Sequence, residues 1–226
     1  MIVAMDGPAG AGKSTVARKV ARALGLTFLD TGAMYRAITL VVLERGIHPA
    51  DGEACATVAR SLGLSFDSGG RIWIEDRCGE PDIRSQTVTL NVSAVSAHPG
   101  VRQAVVAEQR AIAARLGGVV AEGRDTTTVV FPEADHKFFL NASQEERARR
   151  RARQEGTPER YEEILADIAR RDRLDTTRAH SPLTQAQDAL EIDADRLSVE
   201  EVVGRILAHV RAGPSSARRS DTGGVR

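Results

Sequence analysis

The chain has 226 residues, with 31 basic and 31 acidic side chains and a formal net charge of zero. That length suits one α/β domain with a smaller inserted element better than two independent domains, and the balance leaves no whole-molecule field that would advertise a nucleic-acid polymer or a membrane as partner. Only Lys13, Lys19 and Lys137 among the bases are lysines, so any anion site must be local and made largely of arginine, which stays ionised and grips phosphate through two parallel hydrogen bonds.

In chain order, residues 2–5 form a short apolar run closed by Asp6 and a glycine-rich turn, the pattern of a buried parallel strand feeding a loop. Val16, Ala17, Val20, Ala21 and Leu24 then recur at helical spacing until Gly25 stops the segment. Residues 27–29 predict a second strand, followed by helices over 33–45 and 51–62. The alternation Arg71-Ile72-Trp73-Ile74-Glu75, preceded by a Gly-Gly turn, predicts an antiparallel hairpin that does not belong to a parallel sheet. Residues 63–84 are therefore expected to be an insertion.

Helical patterning returns over 85–97 and 101–116, and apolar strands are predicted at 119–121, 137–140 and 189–192. Ser143 with Glu146, and Ser198 with Glu201, each read as a capping box opening a helix, and Thr157-Pro158 marks a further helix start. The fold class expected is α/β, a three-layer arrangement around a five-stranded parallel sheet, with an antiparallel inserted lobe and a short helical lid. In domain terms, residues 1–62 and 85–211 are the core, 147–160 the lid, and 212–226 a tail too polar to bury, expected to be disordered.

Cys55 and Cys78 lie far apart with no CxxC or Cys/His spacing, which reads as reduced thiols. Five scattered histidines give no transition-metal ligand spacing. No apolar run approaches the ~18 residues of a membrane span, and no basic leader opens the chain. A cytoplasmic, monomeric protein is expected.

Gly7-Pro8-Ala9-Gly10-Ala11-Gly12-Lys13-Ser14 satisfies G-x-x-x-x-G-K-[ST] between a predicted strand and a predicted helix, with Thr15 following. Polyphosphate needs converging backbone N–H donors, which glycines supply by close approach and positive φ, while the helix N-terminus adds its dipole. Lys13 is expected to reach the β and γ oxygens of ATP, and the Ser14 hydroxyl to join a Mg²⁺ shell. A GTPase would need an Asn-Lys-x-Asp base motif, but neither asparagine, Asn91 nor Asn141, is followed by Lys.

Three further clusters stand out: Asp30-Thr31-Gly32-Ala33-Met34-Tyr35-Arg36, then Glu122-Gly123-Arg124-Asp125 past a strand's C-terminal end, then the run from Arg170 to Arg178. Parallel α/β sheets put their ligands at such strand ends. In the third cluster Arg171, Asp175 and Arg178 fall on one helical face. Each alone reads as surface ion pairs or a solvated charged face.

Together with GPAGAGKST, VSAVSAHPGVR, TVVFP and RRDRLDTTRAHSPL, these motifs resemble bacterial cytidylate kinases of the nucleoside monophosphate kinase family along nearly the whole chain. The resemblance implies transfer of the γ-phosphoryl group of Mg·ATP to CMP or dCMP. It assigns Lys13, Arg124 and Arg178 to catalysis, and Thr31, Tyr35, Arg36, Ser93, Arg102, Arg124, Asp125, Arg171, Asp175 and Arg178 to the acceptor nucleotide. It also makes residues 63–84 the monophosphate-binding insert, and brings Arg147, Arg151 and Arg153 of the lid over ATP. Thr126-Thr127 departs from the family's apolar residue and glycine; if that glycine needs positive φ, Thr127 is strained. An alternative is a P-loop kinase for an alcohol such as shikimate, with Asp30 as base. A different class, a non-catalytic nucleotide-binding regulator, would have no use for a second arginine-lined pocket.

Overall fold

The computed structural model describes residues 1–67 and 69–213. The tail expected to be disordered lies, from residue 214 on, outside the described residues. Among the described residues no helix is long and apolar enough to cross a membrane.

Five parallel strands, β1 (Ile2–Asp6), β2 (Thr27–Asp30), β6 (Val119–Gly123), β7 (His136–Asn141) and β8 (Leu190–Asp193), form the central sheet in the order β2-β6-β1-β7-β8. The expected count and direction are met. Because strand side chains alternate, Ala4, Leu29 and Ala121 join the core on one face with α2 (Thr31–Glu44), α3 (Gly52–Ser61) and α5 (Pro99–Leu116). Val3, Met5, Phe28, Val120, Phe138 and Leu140 pack on the other face against α1 (Lys13–Leu24) and α8 (Val199–Ala212). Phe138 and Leu140 are almost wholly buried, each contributing about 1.5–3 kcal/mol. A smaller apolar cluster joins α6 (Gln144–Glu155) to α7 (Tyr161–Thr177) through Ala148, Ala152, Ile164 and Ile168.

The insertion is a meander of three antiparallel strands, β3 (Leu64–Phe66), β4 (Ile72–Ile74) and β5 (Arg77–Cys78). The sequence pattern ended at the first hairpin, because two residues are too few to show alternation, and Glu75 makes the second turn at φ 53. A 3-10 turn, Asp82–Arg84, leads into α4 (Gln86–Ala97). The meander's first turn sits against α1, where Arg18 donates to the Gly69 carbonyl (3.0 Å) and stacks over Phe28.

The caps follow the sequence with one correction. Ser198 and Glu201 form the reciprocal box. At α6 Ser143 accepts from Glu146 N, but the Ser143 N–H donates to Asp195 (2.7 Å) and not to Glu146, whose carboxylate pairs with Arg149 and Arg150. The motif supplied the right start and the wrong partner, since a carboxylate from the far side of β8 reaches the same donor.

Candidate active site

The C-terminal ends of β1, β2 and β6 open into one cleft of about 1000 Å³ whose lining carries ten basic and five acidic side chains. A chain with no net charge thus concentrates positive charge in one place.

One wall is the loop after β1. Gly7 (φ 149), Gly10 (φ 80) and Gly12 (φ 91) hold backbone that side-chained residues rarely adopt. A Cβ on Gly7 would lie 2.0 Å from the Leu140 carbonyl oxygen, so that strand presses directly on the loop. Gly12 caps α1 without a side-chain bond, and the helix's first turn carries no acidic residue, leaving its N-terminal N–H groups and dipole free for an anion. Ala9, Gly10, Gly12, Lys13, Ser14 and Thr15 line the cleft. Gly7, Pro8 and Ala11 lie beneath it as the loop's buried frame.

Lys13 is 4% exposed and its Nζ donates to the Pro8 carbonyl (2.8 Å). Burial, and then the Arg124 charge, pull its pKa down to about 7 against the opposing carboxylates of Glu122, Asp6 and Asp175. Ser14 Oγ donates to the Glu122 carboxylate. Burial first, and Asp30 second, push the Glu122 pKa up. Glu122 and Asp6 are functional candidates to which the sequence reading gave no role. The available signal was a carboxylate closing each of two apolar strands, β1 and β6, which run in register with Asp6 opposite Gly123.

The opposite wall gathers the two later clusters. Arg124 Nε donates to Asp175 (2.8 Å) and its Nη1 to the Gly123 carbonyl (3.2 Å). Burial opposes the Arg124 charge, yet the carboxylates of Asp175, Glu122 and Asp6 leave its pKa raised. Arg102 and Asp125, each about one-twentieth exposed, form a buried pair, with Arg102 Nη1 also donating to the Ser96 carbonyl (3.1 Å). Arg178 Nε donates to the Ser181 carbonyl (2.6 Å). Arg36 reaches Thr89 (3.0 Å), and burial, then Arg171, lower its pKa to about 10. Burial and the neighbouring Arg124 also lower the pKa of Arg171, which has no hydrogen bond or ion pair to a described residue. Thr31, whose hydroxyl donates to the Glu122 carbonyl (2.6 Å), and Tyr35, Ser93, Asp175 and Arg178 complete the predicted set on this wall.

Three buried polar atoms here, Tyr35 Oη, Arg102 Nε and Arg178 Nη2, have no partner among the described residues. Buried donors left so are costly, and their convergence marks a place for a polar, anionic ligand.

Two of the three lid arginines lie away from the cleft lining. Arg147 is 3% exposed; its guanidinium donates to Asp172 (2.6 and 3.0 Å) and to the Ala142 and Ala9 carbonyls (both 2.9 Å), so it props the glycine-rich loop from behind. Arg153 is exposed and does not line the cleft. Arg151 alone of the three lines it, beside Gln154 and Glu155. Thr127 is also unstrained: among the described residues only Glu75 and Ser181 are non-glycines with positive φ. The chain instead makes a π turn over Thr126–Val130. Its first two residues donate N–H and hydroxyl to Asp6, whose carboxyl pKa burial pushes up against the pull of those donors. Arg18, Lys19, Arg84 and Ser96 also line the cleft; the sequence motifs assign none of them a site role, although Ser96 stands within VSAVSAHPGVR.

Asp30, the base of the alcohol-kinase alternative, is engaged elsewhere. Its Oδ1 accepts from Ala33 N (2.9 Å) as the cap of α2, and its Oδ2 lies 3.4 Å from Arg84.

The family model described as "Cytidylate kinase" matches residues 3–212. The chain is 48% identical over 213 residues to a cytidylate kinase of Rhodococcus opacus, covering 92% of this chain and 93% of that one. It is 49% identical over 212 residues to a cytidylate kinase of Caldanaerobacter subterraneus, covering 92% and 94%. A bifunctional pantoate ligase/cytidylate kinase of a Synechococcus species is 50% identical over 215 residues, but the chain spans only 44% of that longer protein. Among solved structures, an uncharacterized protein from Eubacterium ventriosum aligns with a TM-score of 0.51 at 11% identity, covering 94% of this chain and 99% of that one, which is a likeness of fold alone.

Proposed function

The chain belongs to the cytidylate kinase family, and on that premise we propose how its own residues carry the γ-phosphoryl group of ATP to CMP. The observation that carries the proposal is that a single cleft holds both the glycine-rich loop and the cluster of Arg124, Arg171 and Arg178. Two nucleotides bound at these two walls meet end to end.

The acceptor monophosphate has a second pKa near ~6 and is mostly dianionic at neutral pH, so its attacking oxygen needs no base. That removes any need for Asp30, which already caps a helix. The obstacle is repulsion between two polyanions. Lys13 and the backbone N–H groups of Gly10, Gly12 and Ser14 hold the donor's phosphates. Arg36, Arg124, Arg171 and Arg178 surround the acceptor phosphate, and Arg124 stands between the walls, where charge develops on the transferring group. A well-placed arginine in such sites is worth roughly 10³ to 10⁵ in rate. Asp175 orients Arg124 and so acts as a positioning residue.

The Ser14 hydroxyl against a buried carboxylate at a helix N-terminus is an all-oxygen donor set, which suits a hard cation such as Mg²⁺ entering with ATP. When bound there it would neutralise charge on the β and γ oxygens. Ser14 would hold it directly and Glu122 from behind Ser14.

Ser93, Arg102 and Asp125 form the acceptor's base pocket. A pocket that bonds the cytosine amino edge leaves buried polar groups unpaired when uracil enters. Thr31 and Tyr35 close its floor, and Arg151 covers ATP. The β3 to β5 meander is the monophosphate-binding insert and the segment 147–160 the lid. The proposal extends to dCMP as a second acceptor, and to a monomer acting in the cytoplasm.

Turnover of ATP with CMP, dCMP, UMP, AMP and shikimate tests the reading. The expected order puts CMP and dCMP far ahead; a chain that phosphorylates shikimate and ignores CMP, or that binds ATP and turns nothing over, overturns it.

A further inference from the structure

The parallel ladder between β1 and β6 ends at the pair Asp6 and Gly123. Beyond it each chain leaves the sheet: one becomes the glycine-rich loop, the other carries Arg124 and Asp125. No strand partner fixes the second exit, and the π turn that follows opens with N–H groups that have no acceptor within the turn. Among the described residues, the side chain that caps them comes from the other exit. Asp6 Oδ1 accepts from Thr126 N (2.8 Å) and Thr126 Oγ1 (2.6 Å), and its Oδ2 accepts from Thr127 N (2.7 Å) and Thr127 Oγ1 (2.6 Å). Thr126 Oγ1 also lies 3.2 Å from the Met5 carbonyl. Asp6 is fully buried, as are both threonines, so these four contacts are made away from solvent.

From this geometry we infer that Asp6 is a positioning residue that fixes Arg124 and Asp125 relative to the phosphate loop, with the Thr126 and Thr127 hydroxyls as its side-chain clamps. The inference rests on the reading of the cleft as a kinase site. Arg124 follows Gly123 directly and Asp125 precedes Thr126, so both are pinned from either side: by the ladder at Gly123 and by the carboxylate at Thr126. Gly7 follows Asp6 and is pressed against the Leu140 carbonyl. A shift of the carboxylate therefore moves the two walls relative to each other. An apolar residue and glycine at 126 and 127 would offer Asp6 only the two N–H groups; the threonines double the donors and fix both oxygens at once.

A turn cap that only stabilised the fold would lower melting temperature and leave the folded enzyme's kinetics alone. A positioning clamp behaves differently, because transfer between two bound nucleotides is sensitive to misplacement on the scale of 1 Å. The test compares the pair Thr126→Val and Thr127→Val, which keeps shape and removes both hydroxyls, with the pair Thr126→Ser and Thr127→Ser, which keeps them. On the whole purified chain, the valine pair is expected to lower kcat with CMP on the order of tenfold. Affinity for a non-hydrolysable ATP analogue should stay within about twofold, since the loop's own donors are intact, and the serine pair should recover most of kcat. A valine pair with reduced melting temperature and unchanged kcat overturns the inference, as does a serine pair as slow as the valine pair. If the valine pair does not fold, Thr127→Val against Thr127→Ser carries the same comparison. Absence of CMP turnover in the unsubstituted chain overturns the kinase reading and this inference together, whereas CMP turnover indifferent to the hydroxyls overturns this inference alone.

Discussion

Lys13 offers a prediction whose size follows from its surroundings. Burial and the Arg124 charge hold its pKa near 7 in the free protein, far below the 10.5 of an ordinary lysine. A bound polyphosphate favours the charged form and raises that pKa again. The sign follows: below about 7 Lys13 is already charged and binding moves no proton; above it, binding must take one up, so ATP affinity falls as pH rises. With a free-protein pKa of 7, raising the pH from about 7.5 to about 8.5 weakens binding roughly eightfold, or ~1.2 kcal/mol. That window lies above the titration of the nucleotide's own terminal phosphate, near ~6 to 7. Burial, and then Asp30, push the Glu122 pKa up, while the Lys13 charge beside it pulls it down. Calorimetric titration with a non-hydrolysable ATP analogue, in two buffers of different ionisation enthalpy, measures both affinity and proton uptake. Lys13→Arg keeps a permanent charge and should flatten the pH dependence, whatever its effect on affinity. Equal slopes for the two proteins, or no proton uptake at pH ~8, would refute the reasoning.

Arg147 and Arg151, neighbours on α6, should separate cleanly. Arg147→Met leaves the Asp172 carboxylate without its ion-pair partner, with only the Gln144 amide still donating to it, and should cost about 3 kcal/mol in denaturant unfolding, whereas the exposed Arg151→Ala should raise KM for ATP a few-fold and leave unfolding unchanged within about 0.5 kcal/mol. Asp175→Asn keeps the size of the side chain but weakens its hold on Arg124, and should reduce kcat on the order of tenfold or more with KM for ATP little changed. Ser93→Ala should narrow the preference for CMP over UMP, measured as the ratio of kcat/KM values, by roughly tenfold; an unchanged ratio removes Ser93 from the base pocket.

The parts of the site legible in the sequence are those whose chemistry is contiguous. The loop from Gly7 to Ser14 carries its own strand, glycines and helix start, and the structure forms it with three positive φ values. Depth along a helix is another matter. Arg147 and Arg151 are about one turn apart on α6, and nothing in their spacing says that the first lies under Ala9 while the second, about 6 Å along the helix, reaches the cleft. Thr126-Thr127 misled for a related reason: the threat of strain presumed the backbone of a glycine, while the acceptor that lets the turn form differently lies 120 residues earlier, on Asp6.

The carboxylates of the cleft explain how so many arginines can stand side by side there. Arg124 leans on Asp175 and Arg102 on Asp125, and behind the loop Arg147 leans on Asp172. The first two pairs each fix a guanidinium by some of its five N–H groups and leave others to the cleft, whereas Arg147 is engaged entirely behind the loop. Fixing them has a cost that shows in the arginines with weaker support. Arg36, Arg171 and Arg178 have lowered pKa values, with burial as the first cause and a neighbouring arginine as the second in all three. That repulsion is held in place by the folded frame, so a dianion entering the gap meets donors already oriented and relieves the strain between them. Preorganisation of this kind favours a ligand that brings more negative charge over one that brings less. It therefore predicts that a phosphorylated acceptor binds far better than its unphosphorylated nucleoside, and that added salt weakens the first more than the second. Competition of cytidine against CMP at two ionic strengths measures that difference directly, and equal affinity would mean that these arginines do not meet the acceptor phosphate.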